Sequence, residues 1–163
     1  MSLKEKVTEE QWKALINAPS AAASYVATAS GGGFEVIKEV FTAMKFVQES
    51  LTKVGGSGYG TLVDELLAAM KGMSVQDARE DAIKYETKDV ASIRAEAKQM
   101  VANGVAAAET QPEADGYKRW LLDMARKVAE TKTGGVLGFG GKSVIDEQEQ
   151  AALDELAVMM GLK

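Results

Sequence analysis

The sequence predicts an all-α protein: a single-domain helical bundle of about seven or eight helices, with an internal pattern that allows two pseudo-symmetric halves. Three observations predict it. Apolar residues recur at three- and four-residue spacing through most of the chain. Capping residues and glycines punctuate that spacing. No alternating run is long enough for a strand; VLGF at 136–139 is short and flanked by glycine. The 163 residues form one domain, 1–163, long enough to bury a core.

Taken in order, Thr8 followed by Gln11 reads as a capping box that starts a short helix through Trp12, Leu15 and Ile16. Pro19 suits the first turn of a second helix, whose alanines let a neighbour approach closely. Gly31, Gly32 and Gly33 end it. From Phe34 to Val54 the residues Ile37, Val40, Phe41, Met44, Val47, Leu51 and Val54 share one helical face. GGSGYG at 55–60 reads as a flexible turn with no phosphate-binding meaning. Thr61 to Lys71 is a short helix with Leu62, Leu66 and Met70 inward. Ser74 and Asp77 resemble a capping pair opening a charged surface segment. Thr87 is placed to cap a helix running to about Glu109, with Val90, Ile93, Ala97, Met100 and Val101 on one side. Asn103-Gly104 marks its end or a kink. Pro112 precedes a helix to about Thr131 that carries Tyr117, Trp120, Leu121, Met124 and Val128. The last helix, about Ile145 to Met160, has Leu153, Leu156, Met159 and Met160 on its apolar edge and Gly161 as its C-terminal cap.

Composition bounds the chemistry. The chain has no His and no Cys. That excludes a Ser-His-Asp triad, a cysteine nucleophile and a zinc site of the usual N/S type. A metal would be a hard divalent cation (Ca, Mg or Mn) held by oxygens. The net charge of −5, with no basic stripe, argues against nucleic acid. No apolar run approaches the ~18 residues of a membrane span. The N-terminal MSLKEKVTEEQW lacks an apolar leader, so the expected location is cytoplasmic.

Two candidate sites adjoin each other. The glycine-rich loop over 134–143 contains Gly134, Gly135, Gly138, Phe139, Gly140, Gly141 and Lys142. Gly141-Lys142-Ser143 matches the end of a phosphate loop. The spacing does not match, because Val136 stands where the first glycine is required. The loop is either structural, with Val136, Leu137 and Phe139 tucked inward, or part of a ligand site with Lys142. Behind it, Asp146, Glu147 and Glu149 crowd the start of the last helix, and Ser143 with Asp146 resembles a capping pair. Carboxylates there complement the helix dipole, or they ligate a hard cation. Trp12, Trp120 and most methionines read as core.

Two stretches share a plan: APSAAASYVATASGGGFEVIKEVFTAM and LLDMARKVAETKTGGVLGFGGKSVIDEQEQAALDELAVMMGL. Each is a helix, a glycine break and a helix opening with acids. On these residues the chain resembles the TerB-like (tellurite-resistance) family of helical bacterial proteins. Its last segment is also similar to small uncharacterised bacterial proteins with a GGxLGFGG stretch. In place of the family's DG-type loop the two stretches carry SGGGFE and GVLGFGGK. The TerB-like resemblance implies a helical domain, a stress-response association and divalent-cation binding, with Asp146, Glu147 and Glu149 as the acids of the second half and Glu35 of the first. The function expected is a non-enzymatic interaction or scaffold module with a protein partner or self-association. The alternative is a small-ligand binder or enzyme built on the loop and its neighbouring acids.

Overall fold

The structure is a computed structural model that describes residues 1–29, 45–47, 49–50, 56–81, 89–134 and 145–162. It is an all-α bundle. Seven helices lie within the described residues: α1 Leu3–Lys6, α2 Glu9–Ala27, α3 Thr61–Lys71, α4 Val75–Glu80, α5 Val90–Glu109, α6 Ala114–Gly134 and α7 Glu147–Met159. Residues 45–47 and 49–50 are also helical, and Phe46 and Val47 pack on the core. The rest of the helix expected from Phe34 to Val54 lies outside the described residues, as do Gly31, Gly32, Gly33, Glu35 and Thr87.

Helix α2 is the axis of the molecule. It packs against α5, α6, α7 and α3. From Ala21 to Thr28 every residue is buried, so this half of the helix is enclosed on all sides. The Thr8–Gln11 capping box forms as expected: Gln11 N donates to Thr8 Oγ1 at 3.1 Å, and Thr8 N donates to Gln11 Oε1 at 2.9 Å. The helix does not stop after Ile16. It runs through Pro19, which corrects the expectation of two helices.

Proline in a helix interior has no N–H for the carbonyl four residues back, here Leu15. The buried Tyr117 hydroxyl of α6 donates to that carbonyl oxygen at 2.8 Å. A side chain from another helix therefore replaces the missing backbone bond. Gly104 meets the same spot. A Cβ built there would lie 2.4 Å from Ala18 Cβ and 3.0 Å from both Ala14 O and the Tyr117 hydroxyl. Gly104 does not end the helix. It sits inside α5, where only a hydrogen fits between the two backbones. The alanines of α2 and the bare Cα of α5 allow this close crossing.

The remaining helices follow local signals. Helix α4 is capped by Ser74 and Asp77, and α5 by Asp89, which accepts from Ser92 N. On α5, Ala97 and Val101 are buried, whereas Val90 is exposed. Helix α6 buries Tyr117, Trp120, Leu121, Met124 and Val128, the face its spacing predicts. It continues to Gly134, so that glycine is helical rather than part of the loop. Gly161 has φ +71°. Its N–H reaches Val158 O, and Leu162 N–H reaches Ala157 O at 2.9 Å. That is a Schellman closure of α7. Helix α1 has no counterpart in the sequence reading; buried Leu3 anchors it.

Residues 56–60 form a turn held by side-chain hydrogen bonds. Gly56, Gly58 and Gly60 all have positive φ. Ser57 N donates to Asp64 Oδ1 at 2.7 Å, and the Tyr59 hydroxyl donates to Asp123 Oδ2 at 2.9 Å. The Glu113 carboxylate accepts from Thr61 N and so caps α3 from a distant turn. Glu113 itself holds φ +63°. A Cβ on Gly116 would lie 1.7 Å from Tyr59 O, so glycine is required where α6 slides under this turn.

Candidate functional site

At the start of α7, Asp146 and Glu149 form a capping box. Asp146 is the N-cap; the expected pairing of Ser143 with Asp146 falls on a residue outside the described ones. Glu149 N donates to Asp146 Oδ1 at 2.8 Å, and Asp146 N donates to Glu149 Oε2 at 3.2 Å. Glu149 is fully buried while Glu147 is exposed. The structure thus turns Asp146 and Glu149 toward each other's backbone and leaves Glu147 in solvent. Glu35 lies outside the described residues, as do Gly135, Val136, Leu137, Gly138, Phe139, Gly140, Gly141, Lys142 and Ser143. Among the described residues no group of three or more acids is arranged to hold a metal ion.

A different set of residues forms a cleft. Lys4 of α1, Glu9 and Trp12 of α2, Asp77 and Glu80 of α4, and Asp81 line about 420 Å³. Trp12 Nε1 donates to Asp81 Oδ2 at 3.3 Å, and Asn17 Nδ2 donates to the Asp81 carbonyl at 2.8 Å. These two bonds fasten the end of α4 to α2. The Lys4 ammonium stands 5.5 Å from the centre of the Trp12 ring, within cation–π range. At the rim, Lys13 Nζ lies 2.8 Å from Glu9 Oε1.

Four carboxylates and the exposed Lys4 side chain therefore line one cleft. Glu9 is held below its ordinary pKa, first by the hydrogen bond from Lys13, then by the Lys13 charge. Asp77 is lowered by the Ser74 hydroxyl and backbone N–H. Both are ionised at neutral pH. The cleft can attract and orient a cation. Its two acids with resolved shifts are poorer bases than free carboxylates, which does not suit proton transfer near neutrality.

A second cluster joins α2, α5 and α7. The Tyr25 hydroxyl donates to Glu155 Oε2, Lys98 Nζ stands 3.5 Å from the same oxygen, and the Arg94 guanidinium lies 4.3 Å from the Tyr25 ring centre. Arg94 also donates to the Tyr25 carbonyl at 2.7 Å. Beside it a groove of about 360 Å³ is lined by Lys98, Asp154, Glu155, Val158 and Met159. Here Lys98 and Glu155 face each other, and the contacts tie three helices together. Elsewhere, burial and then the hydrogen bond to Asp123 push the Tyr59 hydroxyl up to about 12, away from acid–base use.

No motif unites the cleft residues. Asp77 is legible only as half of a capping pair, Glu80 and Asp81 belong to a segment whose charge predicts a solvated surface, and Trp12 reads as core, which it is. The signal that unites them is tertiary. No protein-family model, curated protein or solved structure matches this chain.

Proposed function

We propose that this chain is a non-enzymatic interaction module whose acidic cleft receives a cationic side chain, lysine or arginine, from a protein partner. The observation that carries this reading is the cleft itself: Glu9, Asp77, Glu80 and Asp81 surround a space of about 420 Å³ in which Lys4 already stands over Trp12. An ammonium or guanidinium group gains there from both carboxylates and an aromatic face. The absence of His and Cys from the chain and the down-shifted acids weigh against catalysis. The stress-response setting implied by the TerB-like resemblance belongs to the same proposal and rests on sequence resemblance alone.

A tetralysine peptide tests it by calorimetric titration. Binding is expected to weaken with added salt, because the rim is open to solvent. Glu9→Gln with Glu80→Gln removes two of the four cleft carboxylates and is expected to weaken binding several-fold, a modest loss because both side chains are exposed and solvent screens them. Glu147→Gln with Asp115→Asn, an equal change of two surface charges on other helices, serves as the control. Equal weakening by cleft and control substitutions would overturn the reading.

A further inference from the structure

We propose that Lys4 is an internal occupant of the cleft, an autoinhibitory contact that a partner's cationic group must displace. This inference rests on the cleft reading above and concerns its regulation. The Lys4 ammonium takes the position over the Trp12 ring that an incoming cation would use, 5.5 Å from the ring centre. After the larger influences of Lys13 on Glu9 and of Ser74 on Asp77, the Lys4 charge also reaches both carboxylates, which come from different helices. It therefore neutralises part of the field that would draw a partner in.

Lys4 is delivered by a short, anchored element. Helix α1 has four residues. Leu3 before Lys4 is buried in the core, and Lys6 after it places Nζ 3.0 and 3.1 Å from the two Glu65 carboxylate oxygens on α3. Two anchors on a single helical turn limit the positions open to the Lys4 side chain between them. That side chain is itself exposed, so it can swing out without disturbing either anchor. A partner competes with one exposed cation rather than with a packed core.

The test compares tetralysine affinity in wild type, Lys4→Gln, Lys4→Arg and Lys98→Gln. Lys98 lies near Tyr25, roughly 20 Å along α2 from Trp12 at 1.5 Å per residue, and its loss changes net charge equally. Thermal melts establish that each variant is folded. Lys4→Gln is expected to bind roughly two- to fivefold tighter. Lys4→Arg is expected to match wild type, and Lys98→Gln to leave affinity unchanged.

Equal tightening by Lys4→Gln and Lys98→Gln would assign the effect to overall charge and overturn the inference. No change, or weaker binding, in Lys4→Gln would overturn it as well. In either case, wild-type binding that Glu9→Gln with Glu80→Gln weakens would leave the cleft reading standing. Tetralysine binding to neither wild type nor Lys4→Gln would remove both.

Discussion

Tyr117 shows how one hydroxyl allows a proline to sit inside a helix. Pro19 leaves the Leu15 carbonyl without its helical donor, and this carbonyl lies in the core. An unsatisfied buried carbonyl costs about 1–3 kcal/mol. Tyr117→Phe should therefore destabilise the protein by about that much. Pro19→Ala supplies an N–H at the same place, so Tyr117→Phe should cost clearly less in a Pro19→Ala background. A double-mutant cycle from urea denaturation measures the difference. Additive effects would show that the hydroxyl does not stand in for the missing amide. The Tyr117 hydroxyl has its pKa driven upward by burial, so it remains a donor across the working pH range.

At the scale of the element, α7 is specified at both ends by residues close in sequence. Asp146 and Glu149 close its first turn, and Gly161 closes its last. Asp146→Ala should cost about 1 kcal/mol, the usual loss for an N-cap. The loss should be equal with excess chelator and with millimolar Ca²⁺, Mg²⁺ or Mn²⁺, read from denaturant midpoints. A loss that depends on the cation would place a metal on these carboxylates instead. Helix α3 is the contrast. Its N-cap is Gly60, which has no side chain, and the capping carboxylate comes from Glu113 before α6. Glu113 holds a left-handed backbone to reach it. One element thus carries its own boundary, and the other borrows it.

For the molecule as a whole, pH acts through the Tyr25–Glu155–Lys98 cluster that ties α7 to α2 and α5. Glu155 is held below its ordinary 4.5, first by the Tyr25 hydrogen bond and then by the Lys98 charge. A depressed folded pKa gives stability that is present above 4.5 and lost as pH falls through the folded value. Tyr25 is raised above its ordinary 10.0, by burial first and then by its bond to Glu155. A raised folded pKa gives stability that is present below 10.0 and lost as pH rises through the folded value. This cluster should therefore contribute a plateau between those limits. Glu155→Gln should flatten the acid side of the Tm-against-pH curve while leaving the acid-side contributions of Glu9 and Asp77 in place. The effect should be small, because the Glu155 side chain is half-exposed and solvent screens it. An unchanged acid limb would show that Glu155 carries no part of it.

Local sequence carries only what lies within one or two helical turns. The Thr8–Gln11, Ser74–Asp77 and Gly161 signals were legible because each partner is at most a few residues away. The inward faces of α3, α6 and α7 were legible because burial follows the helical period. The acids of α7 could be read either as caps or as ligands, since both uses need the same residues at the same place. In the structure one carboxylate oxygen of each of Asp146 and Glu149 accepts from the other's backbone N–H, as a capping box requires. The tertiary structure alone decided the passage of α2 through Pro19, the set turn at Gly56–Gly60 and the cleft. Their partners are remote: Tyr117 is 102 residues from Leu15, Asp81 is 69 from Trp12, and Glu113 is 52 from Thr61. Local preference states where a helix can begin and end. Which carbonyl receives a distant hydroxyl, and which carboxylates gather around Lys4, depends on how the helices cross.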